Sequence, residues 1–177
     1  MEAKINAADV DSASSVIFAV NVQINDFQIE WNRCNLLANY MGEYIAYQFA
    51  QRERAENVIS TITNEYLESV IALAPSSSAL ALSCTQKVNE LRIAADHQIR
   101  IEILVPYLDF LASLQPDRGQ ARYLELLTSE ERPATYFNQL GLAMLNHDFG
   151  IQITAHFDEQ QKRIQSQLVA PIEALVS

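Results

Sequence analysis

Hydrophobic and polar positions change period several times along the chain, and each change predicts an element. Ser14 to Gln23 is β-branched and aromatic and predicts a strand, at a sheet edge because nothing before it can pair locally. Phe27, Trp31, Cys34, Leu37, Ala38, Met41, Ile45 and Phe49 recur at helical spacing and predict one long amphipathic helix over 26–51. Val58, Ile59, Ile62, Tyr66, Val70 and Leu73 form the stripe of a second helix over 54–74, which Pro75 and three serines terminate. Alternation then takes over. It predicts strands over 79–85 and 90–96, joined as an antiparallel hairpin by the polar turn 86–89.

Helical spacing returns over 99–115. Pro106 sits inside that window and leaves two readings open: a helix through the whole segment, or a start near 105 with Ile99 to Ile103 extended. A short helix is expected over 120–127, a polar loop over 128–133 and a helix over 134–148, closed by Gly150. Strands over 151–157 and 163–170 follow, with the connection 158–162 between them. Residues 1–13 are small and polar and read as a mobile leader, so 14–177 reads as one domain. The order predicts an α+β two-layer sandwich, with helices on one face of a mixed or antiparallel sheet.

Composition narrows the chemistry. About half of the 177 residues are apolar (49%), enough for a sizeable core. The net charge of -10 repels phosphate backbones and anionic membrane surfaces, so neither nucleic acid nor a membrane is an expected partner. With only four glycines, neither GxGxxG nor GxxxxGK[ST] is present. Cys34 and Cys84 lie in no CxxC pair and no zinc-ligand spacing occurs, so both thiols are expected reduced and buried and no metal ligand set is read. The absence of a signal-like N-terminus and of any run of 18 apolar residues reads as a cytoplasmic chain. His97, His147 and His156 are scattered, and no nucleophile elbow accompanies them. Tyr40, Tyr44 and Tyr47 share one helix face, as a docking patch or as core and rim packing.

Two stretches carry more specific chemistry. Asn64-Glu65-Tyr66-Leu67-Glu68-Ser69-Val70 places Glu65 and Ser69 four residues apart, on one face of the second helix. Gln139-Leu140-Gly141-Leu142-Ala143-Met144 sets a glycine near a helix start, where backbone amides can receive an anion. With Asp96 at the end of Leu91-Arg92-Ile93-Ala94-Ala95-Asp96, these resemble worn motifs of the GHKL superfamily of gyrase, heat-shock chaperone, histidine-kinase and mismatch-repair ATPases. More narrowly, residues 27–170 resemble the histidine-kinase-like anti-sigma proteins of bacteria.

The resemblance implies ATP with Mg²⁺ as cofactor. It gives Asp96 the adenine, Gly141 the phosphates, Glu65 the place of a base or water-orienting acid, and Ser69 the metal position. Ser69 replaces the family's asparagine and Gln98 its glycine. Both departures point to a degenerate site and to a regulator that works by docking a protein, such as an anti-anti-sigma-like domain. The alternatives are an active serine kinase or ATPase of the same fold, and a structural homodimer formed through the first helix. Each site residue also has a plain reading: Glu65 as a solvated acid, Asp96 as a turn residue, Gly141 as a packing glycine.

Overall fold

Among the described residues, alternating side chains in five strands build one sheet in the order β1-β2-β3-β5-β4, in which every neighbouring pair is antiparallel. The strands are β1 Ser15–Gln23, β2 Ala79–Gln86, β3 Glu90–Gln98, β4 Gln152–Asp158 and β5 Arg163–Pro171. The structure, a computed structural model, describes residues 15–115, 118–129 and 136–176. The expected leader over 1–13 lies outside them. One face of the sheet is apolar: Leu80, Leu82 and Cys84 on β2, Leu91, Ile93 and Ala95 on β3, and Ile164, Leu168 and Ala170 on β5 are all buried. The intervening residues line the opposite, uncovered face, where Ala19, Ala81, Thr154, His156 and Gln165 are exposed. The chain is thus an α+β sandwich with its helices on one side of an antiparallel sheet.

The helices are α1 Ile24–Ile29, α2 Asn32–Ala46, α3 Arg52–Leu73, α4 Ile101–Ser113, α5 Gly119–Thr128, α6 Gln139–Phe149 and α7 Ile172–Val176. The long helix expected over 26–51 is two helices. Glu30 leaves helical geometry (φ -128°, ψ 86°), and the N–H groups of Arg33 and Cys34 donate to the carbonyls of Glu30 and Trp31, three residues back. The kink lets Ile24 and Phe27 enter the core while α2 turns its own stripe inward. Gly42 lets α2 lie close against α3: a Cβ there would come within 2.1 Å of Ser60 Oγ and 2.8 Å of the Glu56 carbonyl.

The question over Pro106 resolves toward a helix that begins at Ile101 and contains the proline. Pro106 leaves the Glu102 carbonyl without its N–H partner. Both residues are exposed, so water can reach that carbonyl. The helix expected over 134–148 begins at Gln139. Residues 136–138 are not helical, and 134–135 lie outside the described residues. Its end matches expectation: Gly150 takes the left-handed conformation (φ 64°), and its N–H and that of Ile151 both donate to the Leu145 carbonyl.

The longest helix, α3, is the hub. Tyr66 points to the sheet and is fully buried, with its hydroxyl 2.6 Å from Ser166 Oγ. Gln28 donates to the Ile71 and Ala74 carbonyls and closes the helix's C-terminal end. Among the described residues, no helix is long and apolar enough to cross a membrane.

Candidate functional site

The first turn of α6 and the middle of α3 meet at a corner that five polar side chains fill. Asn138 caps α6: its Oδ1 accepts from the Gly141 N–H at 2.9 Å. Its Nδ2 donates to Glu65 Oε2 at 2.6 Å, with Glu68 Oε2 3.4 Å away. Asn64 donates to the other Glu68 oxygen at 3.0 Å. Ser69 is buried, and its hydroxyl donates to the Asn138 carbonyl at 3.3 Å.

Glu65, Ser69 and Gly141 are therefore brought together. What joins them is Asn138, which sequence reasoning passed over. An Asn three residues before Gly141 is a usable N-cap signal, which the expected helix start at 134 overlooks.

The Glu65 carboxylate lies directly over Gly141. A Cβ added to that glycine would come within 2.0 Å of Glu65 Oε2 and 2.4 Å of Asn138 Nδ2. Burial pushes the Glu65 carboxyl above its ordinary range of about 4.5; the Asn138 hydrogen bond opposes this, and the charge of Glu68 adds to it. Beside the carboxylate is a cavity of about 210 Å³ lined by Tyr123, Leu127, Leu140 and Met144. Among the described residues, none that lines it is basic. Cys34 is buried nearby, and its thiol is pushed up to about 12 by burial and then by Glu68. It is not poised as a nucleophile.

Asp96 is elsewhere. On β3 it follows Ile93 and Ala95 in the alternation and so faces the uncovered side of the sheet, away from α3 and α6. Arg163 Nε donates to its Oδ1 at 2.6 Å and Gln165 Nε2 to its Oδ2 at 3.1 Å. The Arg163 guanidinium also donates to the Asp96 carbonyl at 3.1 Å. Asp96 and Gln165 flank a trough of about 670 Å³ floored by Ala19, Ala81, Ser83 and Ala94.

A single nucleotide held by Asp96 cannot extend through the sheet to Gly141. His97, the neighbour on the helix side, is fully buried, and burial lowers it to about 4, so it stays neutral.

This residue set does not fit a Mg²⁺-bound triphosphate. A phosphate at the α6 start would meet the Glu65 carboxylate instead of free amides, and the Gly141 N–H is already taken by Asn138. Ser69 spends its proton on backbone. Among the described residues, no cluster of three His, Cys, Asp or Glu could hold a metal ion.

The comparisons add no family: no family model, no curated protein and no solved structure matches the chain.

Proposed function

We propose that this chain is a regulatory binding protein of histidine-kinase-like architecture that docks a protein partner in the cytoplasm and performs no phosphoryl transfer. One observation carries the reading: Glu65, tied down by Asn138, places its carboxylate over Gly141, where the resemblance to anti-sigma-type proteins would seat phosphates. An internal anion at that position opposes an external one by direct Coulomb repulsion. The motif has become a structural clasp between α3 and α6, and what remains for function is surface.

The surface that stands out lies along β1 and α2. Tyr40, Tyr44 and Tyr47 are more than half exposed. Tyr40 and Tyr44 pack at the rim against Phe18, with ring centroids 6.1 and 6.2 Å from it. Aromatic side chains exposed as a group are characteristic of interfaces. An anti-anti-sigma-like domain is the partner class that accompanies the resemblance, and binding it would need no nucleotide.

The test is calorimetric titration of the purified chain with ATP, with and without Mg²⁺. No heat at millimolar ATP is expected. Micromolar binding that requires the metal would overturn the reading in favour of a working kinase or ATPase.

A further inference from the structure

Among the described residues β1 and β4 are the two edges of the sheet, and they are built differently. β4 carries His156 and ends on Asp158. β1 has no charged residue, no proline and no glycine in its nine positions. Apart from the irregularity between Val16 and Phe18, it runs in regular register to Gln23. An edge strand offers a row of unpaired N–H and C=O groups, which proteins usually guard with Lys, Pro or inward charge. Among the described residues, and beyond the irregularity at Val16/Phe18, β1 has none of these guards.

The unguarded edge adjoins the aromatic face. Leu36, Tyr40, Tyr44 and Tyr47 continue it along α2 at helical spacing. Arg52 lies over the Tyr47 ring at 3.6 Å and is within 3.9 Å of Glu43, so the charges at that end of the patch are matched. Three half-exposed tyrosines present on the order of 300 Å². With Leu36 and a strand edge roughly 30 Å long, the face supplies a large part of the roughly 800 Å² per partner of a standard interface.

We propose that a second copy of this chain occupies this face. The inference rests on the reading of the β1–α2 face as the docking face and names its occupant. Two β1 strands pair antiparallel about a twofold axis, which joins two five-stranded sheets into one. The two α2 helices then lie on the same side of that sheet, with Tyr40 and Tyr44 of each copy meeting across the axis. The arrangement is isologous and self-complementary: backbone edge meets backbone edge, and aromatic meets aromatic. The chain's net charge of -10 opposes association between copies elsewhere, and this uncharged strand is where they can meet.

Sedimentation equilibrium and size-exclusion light scattering of the full chain test this. The expected mass at micromolar concentration is twice the 19.9 kDa of one chain. The double variant Y40E/Y44E is expected to raise the dimer dissociation constant by at least about a hundredfold, because like charges would face each other across the axis. Its circular dichroism should not change, since both side chains are exposed. If that variant fails to fold, V16K makes the same test from the strand.

A wild-type chain that stays monomeric at high micromolar concentration overturns the proposal, as does a dimer that survives both variants. A monomer that still binds an added protein through Tyr40 and Tyr44 overturns the second copy while leaving the docking reading intact. Tight Mg²⁺-dependent ATP binding would sink the regulatory reading without touching the dimer.

Discussion

Glu65 and Asp96 are two acids that the sequence offers as parts of one site, and the fold treats them in opposite ways. Glu65 is half-buried in the helical layer and partnered by amides, with no cation among the described residues paired to it. Asp96 is on the uncovered face of the sheet, paired with Arg163 and Gln165. The first carboxylate is held against its own preference for ionisation, and the second is matched. The difference shows that helix spacing can assemble half of a motif while strand alternation sends the other half to the far side of the sheet.

The largest break in this comparison should come from Gly141→Val. Its Cβ would collide with Glu65 Oε2 and Asn138 Nδ2, both inside the clasp. A loss of about 2 kcal/mol in urea unfolding is expected. Glu65→Ala in the same chain should recover part of it, since the two changes share one contact. Asn138→Ala comes next, at about 1–2 kcal/mol, because it removes a helix cap and also the amide that holds Glu65. Equal loss from Asn138→Ala with and without Glu65 present would show that the clasp is only a cap.

Glu65→Gln sharpens the comparison through pH. The folded state raises the Glu65 pKa above its ordinary 4.5, so the fold favours the protonated acid. That contribution to stability is fully present below about pH 4.5 and is lost as pH rises through the folded value. The glutamine, which still accepts from Asn138, does not ionise. The variant should therefore match the wild type in acid and become the more stable of the two toward neutrality, measured by thermal melts across pH. A gap of constant size would mean that Glu65 is ordinary.

Asp96→Asn should be the mildest, at most about 1 kcal/mol, since the pair with Arg163 is about a third exposed and screened by solvent. A larger loss than that of Asn138→Ala would reverse the ranking of the two regions.

Much of the fold was legible because its periods are clean. Leu80, Leu82 and Cys84 against Leu91, Ile93 and Ala95 announce a hairpin with one buried face, and the structure has it. The break after Ile29 was not legible, because Phe27, Trp31 and Cys34 keep helical spacing across it and neither Pro nor Gly marks it. Trp31 is in fact 43% exposed, so its spacing reflected no core contact. Glu65 and Ser69 were readable as one helix face. The direction of Asp96 was readable too: with Leu91, Ile93 and Ala95 inward, position 96 must point outward. The contact of Asn138 with Glu65 was not, because it joins residues 73 apart through the packing of α3 on α6.

The most direct measurement follows the backbone amide signals of Ser69, Asn138 and Gly141 by NMR while ATP and Mg²⁺ are added. With the α6 start closed by Glu65, these signals should stay in place to millimolar nucleotide. Saturable, Mg²⁺-dependent movement at Gly141 would mean that phosphate displaces the carboxylate, and the clasp would then be a gate on a living nucleotide site.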